Sequence, residues 1–473
     1  MELFHETRKK QSIVPLLDEL KQKFNHQYRS TTTGEQAFSD TESQLVEAFM
    51  SAAAQALGIV MEAMDVSQPR LIHQGIPYTK SVRSWREYFT SAGKVKILRT
   101  LYRTHSRGAS ICPLDIKLGT ICNSWTPKAA KVATHMVAEM TPYSAERLMR
   151  EIGGLTPSKS SLDRLPKGIE LTLGGNKNLI DENLRKDVPI PNDAVSMAIS
   201  LDGVHIPIQK RKGNSRYVVD RSFGSTRGTL YKIEEEPSPW REAGCGTISY
   251  FDKKGKLLQT RQYGRMPEEK KARLKTELRY HVEDVQKLRP DLKIVKVADG
   301  ALDNWTFLDK LCPDAISVLD FYHAAGHLKD AIDEVFDDQN KAKATFENYR
   351  SKLRHDAKGI HSVIRFLSKH SNATPKNAVL RRELNYFKSN KARCEYHAVK
   401  TKHLPIGSGI VEAACKTLFT QRMKRSGMAW RWKGGQAIIN FRTYLNSNLF
   451  DDYWNILSLI AQEKLFFYQP RFY

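Results

Sequence analysis

SMAISLDGVHIPI at residues 196–208, KIVKVADG at 293–300 and AISVLD at 315–320 are short apolar runs rich in β-branched residues, the pattern of strands buried in a sheet. Between the first two, GTISYFD (246–252) and KLLQTRQYG (256–264), joined at Lys253, Lys254 and Gly255, read as a hairpin. The charged stretch 266–288 then has helical spacing, and a second helix is predicted from about Asp303. Antiparallel strands followed by alternating helices and strands define a mixed α/β sheet. From about 324 to 403 the strand signal disappears and basic helical segments take over, which reads as an insertion into the sheet domain. The chain returns at IGSGIVEAACKTLFTQRMKRSGMAW (406–430), predicted as one amphipathic helix capped by Ser408 and stopped by Gly427.

Upstream, SQLVEAFMSAAAQALGIVMEAM (43–64) predicts a helix, and KVKILRTLYRT (94–104) alternates apolar and basic residues as a half-buried strand does. Residues 126–164 turn helical again, with the break GGL at 153–155 between two helices, as in a helix-turn-helix. Ser144 is the expected cap of the first helix, and Thr156–Pro157 is expected to open the second, presenting Ser158, Lys159 and Ser161. From spacing alone, a DNA-binding pair and an ordinary bundle pair stand level. The polar stretch 174–193 reads as a linker. Four regions result: a helical region 1–90, a β-ribbon 91–125, a helix-turn-helix-like region with linker 126–190, and an α/β domain 191–473 interrupted at about 324–403.

The balance of 75 Lys+Arg against 52 Asp+Glu, a formal +23, favours a polyanionic partner, nucleic acid above all, and tips the helix pair towards DNA. Hydrophobic residues at 40% are too many for a disordered chain. The start MELFHETRKKQ lacks an apolar signal core, and no run reads as a membrane span, so the expected location is cytoplasmic, on the nucleoid. Six scattered cysteines form no CxxC pair, which argues for reduced, packed thiols and against a zinc site.

Asp202 and Asp299 each follow an apolar strand pattern and precede a glycine, and Glu412 sits in the first turn of its helix. Carboxylates at neighbouring strand ends project into one crevice, and repel one another unless a cation intervenes. Hard oxygen ligands select Mg²⁺ or Mn²⁺, and two such ions suit phosphodiester chemistry. Taken singly, an Asp-Gly pair is more often a turn, and a Glu at a helix start more often complements the dipole.

These residues resemble the ISKra-type insertion-sequence transposases of the Mutator-like group, which have an RNase H-like core. SLDGVHIP, VADGALDNW, VLDFYHAAGHL, IGSGIVEAACK with RMKRSGMAW, and FDDYW each match a family element, and the resemblance spans roughly residues 80–460. It implies that Asp202, Asp299 and Glu412 are the catalytic, metal-binding DDE triad. It further implies that Asp320 and His323 form an accessory Asp-x-x-His element, and that the protein binds terminal inverted repeats and target DNA as a homo-oligomer. In YRTHSRGASICPLD the ribbon keeps only Cys112 where relatives often carry a CxxC, and no zinc is expected.

HAAGH (323–327) lacks the acidic residue of a zinc-hydrolase motif. Candidate DNA contacts are Lys159, the basic loop Lys210, Arg211, Lys212 and Arg216, then Lys416, Arg422, Lys424, Arg425, Trp430 and Arg431 around the Glu412 helix. Trp430 is a stacking platform on one reading and a packed side chain on the other. Two rival functions stand beside transposition: a DNA-binding regulator without catalysis, and a two-metal nuclease that cuts without joining.

Overall fold

The computed structural model describes residues 13–73, 75–104, 110–173, 177–187, 190–209, 217–220, 229–232, 239–466 and 470–471. The basic loop residues Lys210, Arg211, Lys212 and Arg216 lie outside them. The chain divides into two compact units, one of residues 1–180, 221–226 and 451–473, the other of 181–220 and 227–450.

In the first unit, helices Val14–Thr32 and Phe38–Ala63 precede a sheet of β1 (Arg70–His73), β2 (Ile76–Thr90), β3 (Gly93–Arg103) and β4 (Ser110–Ile111), with Pro470–Arg471 on the far edge of β1. The ribbon is therefore longer than the alternation at 94–104 suggests. Strand β2 pairs with β3 over most of its length, yet it is largely exposed, so no apolar alternation marks it. Its inner end is anchored by Tyr88, Val95 and Ile97 against Ala54 and Met61 of the long helix. That helix, Phe38–Ala63, corresponds to the helix predicted at 43–64, and by length and composition it is long and apolar enough to cross a membrane, where no such run was expected.

Helices Pro142–Ile152 and Lys159–Leu173 form the expected pair, but their caps differ. Thr141, not Ser144, caps the first: its Oγ1 accepts the Ser144 amide at 3.1 Å, because Pro142 at the first helical position sets the start one turn earlier. Ser158 Oγ accepts the Ser161 amide at 3.3 Å, so the second helix opens after Pro157 rather than on it. The polar stretch read as a linker holds the helix Lys177–Asp187, because Ile180 and Leu184, one turn apart, are buried.

The second unit is a mixed α/β fold. Its sheet consists of β5 (Ser196–Pro207), β8 (Trp240–Phe251), β9 (Leu257–Arg265), β10 (Lys293–Ala298) and β11 (Ile316–Leu319), in the order β11-β10-β5-β8-β9; a separate two-stranded pair comprises β6 (Tyr217–Asp220) and β7 (Thr229–Lys232). Strands β5, β8 and β9 are antiparallel, whereas β10 runs parallel to both β5 and β11. The β8–β9 turn is fixed by Asp252, whose Oδ1 accepts the amides of Lys254 and Lys256, each at 2.8 Å, and by Gly255 at φ +76°.

Both faces of this sheet are covered. Gly244 and Gly246 lie against Leu274 and Leu278 of the helix Ala272–Leu288, while Cys245 between them belongs to a cluster with Leu418, Phe419 and Ile439. A Cβ at Gly246 would come within 2.8 Å of Leu278, so the close approach of helix to strand requires glycine there. After β11 come the helices Phe321–Asp333, Gln339–His355, Gly359–Ala373 and Ala378–Ser389, whose buried Leu328, Leu353, Leu367 and Leu384 join the main core. The helix predicted after 408 runs without a break from Gly409 to Met423, with a π turn, Lys416–Thr420, between the α-helical parts Gly409–Cys415 and Gln421–Met423. Helical spacing does not distinguish these, since a π turn inserts one residue without breaking the apolar face.

Candidate active site

The last paired rung between β5 and β10 is Leu201 opposite Ala298, so Asp202 and Asp299 follow side by side on adjacent parallel strands. Asp202 does not end its strand. Antiparallel pairing with β8 carries β5 on to Pro207, with Asp202 opposite Cys245. Gly203 therefore makes no turn, and its role is spatial: a Cβ there would meet the Glu242 carboxyl, 1.8 Å from Oε1. Glu242 in turn pairs with Lys271 at 2.9 Å.

Burial pushes the Asp202 carboxyl above the usual carboxylate range, and the charge of Asp299 adds to the shift. The Gly203 amide at 2.6 Å, the Cys415 thiol and the Lys271 charge act in the opposite sense. Asp299 Oδ1 accepts from the Ala301 amide and from Asn304 Nδ2, each at 3.2 Å, and its backbone carbonyl accepts from Trp305 Nε1 at 2.6 Å. The loop after β10 is thus wound around its own carboxylate, which fixes where that group points.

Glu412 lies on the helix Gly409–Cys415, whose Cys415 Sγ donates to Asp202 Oδ2 at 3.5 Å. The Glu412 side chain is exposed, and its Oε1 accepts from Ser408 Oγ at 3.2 Å. Ser408 therefore does not cap the helix through its side chain; it holds the glutamate instead. Among the described residues, no group of three His, Cys, Asp or Glu side chains is close enough to hold a metal ion. The two aspartates are adjacent, and Glu412 stands apart from them on the tethered helix.

Asp320 is 1% exposed and spends both oxygens on backbone amides: Oδ1 accepts from His323 at 2.5 Å, capping the helix Phe321–Asp333, and Oδ2 accepts from Ser408. Its contact with His323 is thus to the amide, not the imidazole. Asp320 is a clamp between the end of β11 and the start of the Glu412 helix. The exposed His323 ring meets His327 edge to face, with centroids 5.1 Å apart.

His327 has an acidic hydrogen-bond partner on another helix. Glu383, 0% exposed, bonds His327 Nδ1 through Oε2 at 2.6 Å and Arg382 through Oε1 at 2.6 Å. Tyr386, one turn on, stacks on His327 with centroids 3.8 Å apart, and a Cβ at Gly300 would lie 2.7 Å from its ring. Burial raises the Tyr386 phenol above its ordinary range, and Asp299 and Asp320 contribute to the shift. Nothing in LRRELNYFK singles these residues out, because a glutamate in a charged helix reads as solvated.

The basic candidates divide. Lys159 is exposed at the start of its helix, and Lys416, Lys424, Arg425 and Arg431 are exposed around the Glu412 segment. Arg422 is 2% exposed and stacks on the Trp430 ring at 5.1 Å, so it is packed in this structure where an exposed phosphate contact was expected. Trp430 is half-buried and donates from Nε1 to the Met423 carbonyl at 3.0 Å, and its amide bonds the Pro207 carbonyl at the end of β5. It is a packing residue that stitches the Glu412 segment to the central strand. All six cysteines are free, and Cys122 alone among them is not fully buried.

No family model matches the chain, and no curated protein does. Among solved structures it is similar to the Drosophila P element transposase strand transfer complex, with 12% sequence identity and a TM-score of 0.27, covering 71% of this chain and 83% of that one.

Proposed function

We propose that the protein is a DNA transposase of the DDE type, resembling the ISKra group, which binds transposon ends and cleaves and joins DNA strands. The observation that carries the reading is the adjacency of Asp202 and Asp299 on parallel β5 and β10, beside a helix that bears Glu412 and touches Asp202 through Cys415. The sheet order, three antiparallel strands followed on the β5 side by two parallel ones, is compatible with the RNase H-like core that the resemblance implies, and so supports the same reading. The formal charge of +23 supports DNA as the partner.

The donor set fits a hard divalent cation. Asp202 is partly buried beside a second carboxylate; burial first, and the Asp299 charge after it, raises its proton affinity, and a cation held between the two would favour the ionised form. Asp202 and Asp299 would hold Mg²⁺ or Mn²⁺, with Glu412 completing the set once it leaves Ser408. Bound there, such ions activate a water or 3′-hydroxyl and stabilise the departing oxygen of a phosphodiester.

The residues around the pair do the positioning. Asn304 and the Ala301 amide aim Asp299, and the Gly203 amide and Cys415 aim Asp202. Asp320 sets the start of the Glu412 helix. Exposed Lys416, Lys424, Arg425 and Arg431 supply phosphate contacts on the same segment, and Lys159 supplies one at its helix start. Action as a homo-oligomer on DNA belongs to this proposal.

The test is incubation of the purified protein with Mg²⁺ or Mn²⁺ and labelled DNA carrying the element's ends, beside folded Asp202→Ala, Asp299→Ala and Glu412→Ala variants. Metal-dependent cleavage and joining, lost in all three, is the expected result. Binding without cleavage under either metal makes the protein a regulator, and cleavage without joining makes it a nuclease.

A further inference from the structure

Beside the two aspartates lies a cavity of about 370 Å³, within the ~300–1,000 Å³ range of small-molecule sites. Its walls are bonded to Asp299 and border the strand beside Asp202. Asn304 lines it and donates to Asp299, while Lys271 lines it and pairs with Glu242, whose side chain lies over Gly203. Lys270 and Lys271, at the cavity edge, hold consecutive left-handed conformations at φ +51° and +53° without being glycine. Such strain persists where the surroundings enforce it, and it concentrates at functional sites.

Three side chains of the lining carry buried polar atoms without a hydrogen-bond partner among the described residues: Arg241 Nη1, Asn304 Oδ1 and Glu268 Oε2. Asn304 and Glu268 are more than nine-tenths buried. The Asn304 amide is oriented by its bond to Asp299, so its oxygen is the free end. Burial raises the Glu268 carboxyl, and its other oxygen is already occupied by the amides of Arg273 and Leu274. Unpaired buried donors and acceptors disfavour the folded state until a ligand satisfies them.

The charge of the lining decides which ligand fits. Three cationic side chains are matched by three carboxylates, so a phosphate entering here would meet as many acids as bases. The free atoms instead comprise a donor on Arg241, an acceptor on Asn304 and a carboxyl oxygen on Glu268, with Pro267 as an apolar wall. A neutral planar ligand with donors and acceptors along one edge answers that set, and in a DNA strand that ligand is a nucleobase.

We propose that this cavity receives a nucleobase turned out of the DNA strand next to the phosphodiester that faces Asp202 and Asp299. The inference rests on the transposase reading, because it takes the strand at the aspartates to be DNA. Arg241 and Asn304 bond the edge of the base, and the extruded base fixes the register of the scissile strand. Unstacking one base costs little in a strand that is already unpaired, so single-stranded DNA engages the cavity most readily.

The test measures binding of the full chain, in EDTA, to an oligodeoxyadenylate and to an abasic strand of the same length. Wild type is expected to bind the base-bearing strand about tenfold more tightly, the effect of one or two hydrogen bonds. Arg241→Met is expected to erase that preference while leaving the abasic affinity unchanged, and Asn304→Leu, which also releases Asp299, is expected to erase the preference as well. Equal binding of both strands by wild type overturns the inference, whether or not either variant folds. So does a preference that survives in both variants, which would put the base elsewhere, or a variant that weakens both strands alike, which would make the cavity a phosphate site. Failure to bind either strand at low salt removes the DNA reading itself.

Discussion

Cys415 Sγ donates to Asp202 Oδ2 at 3.5 Å, and that contact joins the helix of Glu412 to the strand of Asp202. The thiol is held protonated: its contact with Cys245 comes first among the causes that push its proton affinity far up, burial second. A protonated donor against a carboxylate is what a positioning contact needs. Cys415→Ser keeps a donor, whereas Cys415→Val keeps the volume without one. The serine variant is expected to retain metal-dependent DNA cleavage, and the valine variant to lose roughly 10–100-fold in metal affinity or rate, the usual cost of removing a partner behind a metal ligand. Titration of Mg²⁺ against cleavage rate measures both. Equal rates in the two variants would reduce Cys415 to packing.

The clamp at Asp320 predicts a stability effect. Each carboxylate oxygen accepts a backbone amide, so Asp320→Asn must turn its NH₂ towards one of them and leave a buried donor facing a donor. The expected cost is about 1–3 kcal/mol, seen as a drop of several degrees in the melting temperature. Cleavage should fall further than stability alone explains, because Ser408 and Glu412 ride on the same clamp.

Much of the sheet unit was legible in the sequence because its strands are buried on both faces and read as continuous apolar runs; Met197, Ile199, Val295 and Val297 carry that signal. Strand β2 was not, because a ribbon exposed on both sides has no apolar period to read. The position of Asp202 was legible only in part. The Asp-Gly pair suggested a strand end, and only the pairing with β8, a long-range fact, keeps the chain extended through Gly203. Arg422 and Trp430 looked like DNA contacts because charge and aromaticity are local, while their burial against each other depends on the return of the chain along β5. Glu383 and Tyr386 gave no signal, since their partners lie on a helix far away in sequence.

His281 predicts the pH dependence of stability. It is buried between two phenols, Tyr250 at 2.9 Å on Nε2 and Tyr263 on Nδ1, an arrangement suited to a neutral ring with one donor and one acceptor. Burial, then Arg261 and Arg185, hold its pKa well below 6.5. The stability from the neutral ring is complete above pH 6.5, where neither state takes the proton, and is lost as pH falls from there towards the depressed folded value, because only the unfolded chain protonates. Melting temperatures measured downward from neutral pH should therefore fall, and the slope should flatten in a folded His281→Asn variant. A wild-type profile flat across that window would contradict the burial of the ring.

Lys424 and Arg425 are exposed on the turn after the Glu412 helix, whereas Arg422 on the same segment is enclosed. If the two exposed cations meet phosphates, replacing either with alanine should weaken binding to all DNA sequences alike and lower the steepness of the salt dependence by about one unit per lost contact. Arg422→Ala should behave differently. It removes the stacking partner of Trp430, so it should lower the melting temperature first, and any loss of DNA affinity should follow stability rather than salt. Binding measured across a range of salt concentrations, beside thermal melts of the same three variants, separates the classes. A salt slope unchanged by Lys424→Ala and Arg425→Ala would remove this turn from the DNA path, and a reduced slope in a stable Arg422→Ala protein would show that its guanidinium leaves Trp430 to reach a phosphate.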